Sequence, residues 1–152
     1  MSLEEWSRIA SWLQEAETTV PEILQLFQVV DRDLSDAEAK GLSVDGRFQH
    51  AYDAALQLCI IALRASGYRV AKGQGQHKHA IESIQHTLGN RYADTADHLD
   101  RCSRLRGKTV YERIGAVNQK DADDLVEVAR RLRAEVLEWL EKNHPDLVPP
   151  GM

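Results

Sequence analysis

No proline stands between Pro21 and Pro145 in this 152-residue chain. A domain built of many strands needs regular turn punctuation and β-branched runs. Here Ala and Leu are plentiful, β-branched residues are sparse and aromatics make up 6% of the chain. An all-β fold is therefore excluded, and long helices broken by glycine are expected instead. The length suits one domain with a sizeable core. No apolar run approaches the roughly 18 residues of a membrane span. Glu4, Glu5 and Arg8 interrupt any signal-peptide core, so a cytoplasmic protein is expected.

Apolar spacing then divides the chain. Leu3, Trp6, Ile9 or Ala10, and Leu13 recur at helical intervals and predict one short amphipathic helix. Pro21 suits the first turn of a second helix that carries Ile23, Leu24, Phe27 and Val30 and ends near Gly41. Ser43 is a natural N-cap for a third helix running to about residue 66. Its apolar residues cover most of the circumference: Phe48, Ala51, Tyr52, Ala55, Leu58, Cys59 and Ala62, widened by Leu56, Ile60 and Leu63. Such a helix belongs at the centre of a bundle. Residues 68–76 read as a loop. A fourth helix starts near Gln76 or His77, and a fifth carries Tyr92, Ala96 and Leu99 and stops at Gly107. The stretch 108–119 reads as irregular. A last helix starts around Asp121, repeats Leu125, Val128, Leu132, Val136, Trp139 and Leu140, and ends before Pro145. Glu127–Arg131 and Glu138–Lys142 have the spacing of favourable pairs within it. The expected fold is all-α: an up-and-down four-helix-type bundle of five to six helices over residues 1–144, with a loose tail at 145–152.

The net charge is −5, which argues against a surface that coats nucleic acid as a whole. One segment departs from that balance. Residues 101–113 hold Arg101, Arg104, Arg106, Lys108 and Arg113 against the single acid Glu112. A cationic cluster at a helix end can hold a phosphate, although cations also simply favour a helix C-terminus. Arg106 falls on the stripe of Tyr92 and Leu99 and so faces the bundle or a partner. Arg101 and Arg104 lie off that stripe, where a solvated face is their ordinary role. An inward arginine needs a carboxylate, a carbonyl or a ligand.

His77 shares the azimuth of Leu88 and also faces inward. His79, Glu82 and His86 share another face. His79 and His86 stand roughly 10 Å apart along the axis, so one helix cannot close a metal site from them. His50 and His98 read as satisfied or exposed histidines. The Gly73-Gln74-Gly75 loop lacks the strand, lysine and hydroxyl of a phosphate loop and reads as a flexible connection. Cys59 and Cys102 read as small core-packed thiols.

Three segments together resemble the HEPN superfamily of small helical bundles, over roughly residues 42–140. Leu42-Ser43-Val44-Asp45-Gly46-Arg47-Phe48-Gln49-His50-Ala51-Tyr52-Asp53-Ala54-Ala55, closing at Gly67-Tyr68-Arg69, resembles the family's central helix. Gly75-Gln76-His77-Lys78-His79 resembles the histidine-bearing start of the next helix. Leu105-Arg106-Gly107-Lys108-Thr109-Val110-Tyr111 resembles the motif segment before the last helix. In active members that motif is an arginine and a histidine separated by four to six residues, often with a polar residue just after the arginine. Here Arg106 takes the arginine position, Gly107 replaces the polar residue and Tyr111 replaces the histidine.

The resemblance implies a homodimeric protein with a diverged RNA- or nucleotide-binding site, in a toxin–antitoxin or defence setting. The central helix's apolar breadth also points to pairing. Arg106 and Tyr111 would occupy the catalytic positions of a metal-independent endoribonuclease. Arg101, Arg104, Lys108 and His77 would contact RNA phosphates. A tyrosine with a pKa near 10 is a poorer general base at neutral pH than an imidazole, yet it can donate a hydrogen bond or stack on a base. No cofactor or metal is expected. The alternative is a non-catalytic helical module that pairs with itself or with a nucleotidyltransferase-like partner.

Overall fold

A computed structural model describes residues 2–111 and 116–152, with the side chains of 108–111 left out. The described residues form an all-α helical bundle. In chain order its helices are α1 (Leu3–Ile9), α2 (Val20–Ala37), α3 (Val44–Ala65), α4 (Gln76–Thr87), α5 (Ala93–Tyr111) and α6 (Gln119–Asn143). Single 3₁₀ turns at Asn90–Tyr92 and Pro145–Leu147 flank α5 and α6 respectively. No described helix is long and apolar enough to cross a membrane.

The centre is α3, as its composition requires. Phe48, Tyr52, Leu58, Ile61 and Leu63 are each no more than 1% exposed, and alanines at 51, 54, 55 and 62 let neighbouring helices approach. It packs on α2, α6, α4 and α5. Ser43 caps it as expected, its hydroxyl accepting from the Gly46 N–H at 3.0 Å. Gly67 closes it with φ +93°, a conformation that side-chain-bearing residues rarely adopt. Ion pairs at the rim tie the outer helices: Arg133 reaches Asp31, Arg130 reaches Glu38, and Arg47 meets Asp123 at 2.8 Å. The Glu127–Arg131 pair does not form, because Arg131 turns instead toward Glu135 at 3.8 Å.

Five sequence expectations need correction. First, α1 is only seven residues long. The chain then extends as β1 (Leu13–Glu15), which pairs antiparallel with β2 (Tyr68–Val70) in the register Leu13–Val70 and Glu15–Tyr68. Strands this short carry no alternation a sequence can display, and the partners lie 55 residues apart. Second, α2 ends at Ala37, before Gly41. Third, Gly107 does not stop α5, which continues to Tyr111; a single glycine costs a helix only about 1 kcal/mol. Fourth, α6 starts two residues early. Asn118 caps it in a reciprocal box, its side chain accepting from Asp121 N at 2.8 Å while Asp121 accepts from Asn118 N at 3.0 Å. Fifth, the tail is not loose: Leu147, Val148 and Met152 pack against the core.

The N-terminal segment forms a second, smaller apolar cluster of Trp6, Ala10, Leu13 and Leu63. The Trp6 and Trp12 rings meet edge to face at 4.5 Å. Trp12 stacks flat on His79 at 3.9 Å, and Trp6 lies 4.2 Å from His86. Two indoles therefore cover the α4 histidine face. His79 and His86 are packing partners for the N-terminal segment, not convergent ligands. Trp6 is 7% exposed, so Trp6→Ala should cost about 3 kcal/mol, read as a fall in the urea midpoint.

Burial also holds His77, His98 and His144 below the ordinary imidazole pKa of 6.5. On acidification the unfolded chain therefore takes up protons first. Stability should fall as the pH drops from about 6.5 through the lowered values of the folded state. The urea midpoint is expected to be lower near pH 5.5 than near pH 7.5, and equal midpoints would contradict the assignment.

Candidate functional site

The fold converts helical azimuth into a meeting of three helices. Tyr52 faces α4 and α5 from α3, His77 stands in the first turn of α4, and Arg106 lies near the end of α5. The Arg106 guanidinium carbon sits 5.4 Å above the centre of the Tyr52 ring. His77 also borders that ring, 6.4 Å away between centroids and tilted by 50°. The inward orientation that periodicity assigned to Arg106 and His77 is the one observed, with Tyr52 between them.

The electrostatics follow from that packing. Burial first, and then the Arg106 charge, hold His77 below its ordinary pKa, while Asp53 pulls the other way. His77 is thus neutral near pH 7, with a ring nitrogen able to accept a proton. Burial raises the Tyr52 phenol, opposed by Ser103 and by Arg106, so Tyr52 stays protonated. Its hydroxyl has no hydrogen-bond partner of good geometry among the described residues, and neither has the buried Nε of Arg106. Asp53, the α3 acid whose charge acts on His77 and Tyr52, accepts from Gln49 Nε2 at 3.0 Å.

Arg106 makes no ion pair among the described residues. Arg47, Arg64, Arg104 and Arg133 each meet a carboxylate. A cation–π contact is worth about 0.5–2 kcal/mol and leaves the guanidinium edge free to donate. Such an edge fits a phosphate or carboxylate, which accepts two parallel N–H bonds.

The other basic residues separate from this group. Arg101 and Arg104 lie about 140° and 160° round α5 from Arg106. They line a groove of about 440 Å³ with His98, Asp121 and Asp124, on the α6 side. Arg104 is engaged by Asp100, one turn earlier. Two acids share that groove, so it is no uniform cationic patch. The side chains of Lys108 and Tyr111 lie outside the described residues. His98 is not simply exposed, since burial lowers its pKa. Cys59 and Cys102 are free, buried and pushed up to about 12 by that burial, which makes them core thiols and not nucleophiles.

A cavity of about 220 Å³ opens beside His77 between α3, β2 and α4, lined by Leu56, Gln57, Ile60, Arg69 and Gln76. The Gln57 side-chain oxygen is buried there without a partner. The cavity is smaller than a drug-sized pocket of roughly 300 Å³ or more and suits one planar ring system.

Sequence reasoning missed Tyr52 as the partner of Arg106, and Asp53, held by Gln49, as a charge acting on His77. A polar Gln49 and Asp53 within the apolar α3 was the available signal. No protein-family model matches this chain, and neither does any curated protein or solved structure.

Proposed function

We propose that this chain is a HEPN-like bundle that binds RNA or a nucleotide, with Arg106 holding a phosphate and His77 beside it. The observation that carries the reading is an inward-facing arginine stacked on Tyr52, without an acidic partner among the described residues, next to a neutral histidine. Tyr52 lends an apolar floor, and the cavity beyond His77 offers room for one base. In this reading Arg106 supplies charge to the phosphate and His77 is the group able to take a proton. Tyr111 completes the diverged motif and Lys108 adds charge beside it, while Arg101 and Arg104 offer a second, weaker phosphate contact on the opposite side of α5. The protein acts as a homodimer in the cytoplasm, in a toxin–antitoxin or defence setting, with a nucleotidyltransferase-like protein as a further partner.

Fluorescence anisotropy with a short single-stranded RNA tests this reading. Arg106→Ala should weaken binding at least about tenfold and reduce the salt slope by about 0.7 for each lost phosphate contact. Arg101→Ala and Arg104→Ala should have smaller effects, since both lie on the other side of α5. An anion at the site favours protonated His77. Affinity should therefore rise as the pH falls from about 7 toward the lowered His77 pKa, and His77→Gln should flatten that rise. Binding unaffected by Arg106→Ala would overturn the assignment. A stable dimer without any RNA affinity would leave the partner-binding module in its place.

A further inference from the structure

We propose that Asp33, Asp36 and His50 form a binding site for one divalent transition-metal ion, of the zinc or manganese class, where α2 packs on α3. The proposal is independent of the RNA reading. Asp33 and Asp36 stand at i and i+3 on α2, so both carboxylates leave the same side of that helix. His50 faces them from α3. One donor atom from each of the three residues lies within 4.8 Å of the others. The Asp33 Oδ1 to His50 Nδ1 separation is 3.5 Å. Two ligands about 2.0–2.1 Å from a tetrahedral zinc stand roughly 3.3–3.4 Å apart, so this edge is already close to ligating length. Rotation of the Asp36 side chain would complete the triangle.

A second observation sets this cluster apart from ordinary surface acids. The Asp33 side chain is only 8% exposed, yet among the described residues its carboxylate accepts no hydrogen bond from outside the cluster. The nearest cation is Arg32, 3.9 Å away, on a side chain that is itself 67% exposed. A buried carboxylate without donors is costly. His50 Nδ1, 3.5 Å from Asp33 Oδ1, is itself buried without a hydrogen bond of good geometry. A cation between them would satisfy both atoms together.

The donor set selects the class of ion. Two carboxylates and an imidazole favour zinc, manganese or ferrous iron over magnesium and calcium, which prefer oxygen-only shells. Three protein ligands leave at least one position for water. Asp36 and His50 are half-exposed, which provides the entry path. His50 was read from the sequence as a satisfied or exposed histidine. It is half-exposed and lies 3.5 Å from Asp33, because the tertiary pairing of α2 with α3 brings the Asp33–Asp36 pair opposite it.

Isothermal titration of the chelator-treated full chain tests the site, with zinc chloride and manganese chloride added separately near pH 7.5. The expected result is one ion per chain at micromolar affinity for at least one of the two. Asp33→Asn and His50→Gln should each weaken that affinity at least about tenfold, with circular dichroism checking the fold. The half-exposed Asp36→Asn should do the same without touching the core. His79→Gln should leave the affinity unchanged. In the metal-free protein Asp33→Asn should leave the melting temperature unchanged or raise it, whereas a purely structural His50–Asp33 pair would lose stability. No binding of either ion up to millimolar concentration would overturn the proposal, as would binding that survives both Asp33→Asn and His50→Gln.

Discussion

Everything in this fold leans on the burial of α3. The other long helices pack against it, and its large apolar side chains are almost wholly removed from water. Each such side chain contributes about 1.5–3 kcal/mol of burial free energy. Together they are the main term opposing the entropy cost of ordering the chain. The alanines between them matter as much as the large residues, because they set how closely α2, α4 and α6 can approach. A polar residue on α3 is therefore conspicuous. Gln49, His50 and Asp53 cluster in its first half, where α2, α4 and the end of α5 converge.

Those polar residues divide between two faces of α3. Tyr52 and Asp53 turn toward His77 and Arg106. His50 turns toward Asp33 and Asp36. Asp53 bridges the two electrostatically, since its charge acts on both His77 and Asp33. The rim arginines serve a different purpose. Arg130 meets Glu38, the C-cap of α2, and Arg133 meets Asp31 within it, in solvent-accessible pairs that add little free energy.

Helical periodicity made much of this legible. The stripe through Tyr92, Leu99 and Arg106 places that arginine inward because 3.6 residues per turn leave it no other side. The same arithmetic parts Arg101 and Arg104 from it. Charge counting misled where it treated residues 101–113 as one patch, since a helix distributes neighbours in sequence around its whole circumference. Gly107 misled in another way: glycine punctuates a helix only where the chain needs a positive φ, and none is required there. The capping box is legible in the spacing of Asn118 and Asp121, which puts the carboxylate at the third helical position.

The sequence by itself determined the all-α class, the centrality of α3, the caps at Ser43 and Gly67, and the inward direction of Arg106 and His77. These depend on local rules, on spacing along one helix and on the conformational limits of single residues. Tertiary structure decided which inward residues meet. It placed Tyr52 between Arg106 and His77, two indoles over His79 and His86, and Asp33 opposite His50. It also created a two-stranded ribbon from segments that show no strand pattern alone. The physical reason is one of range. Periodicity states the direction in which a side chain leaves its helix, whereas its partner is selected by how the helices pack, and that is settled by the whole core at once.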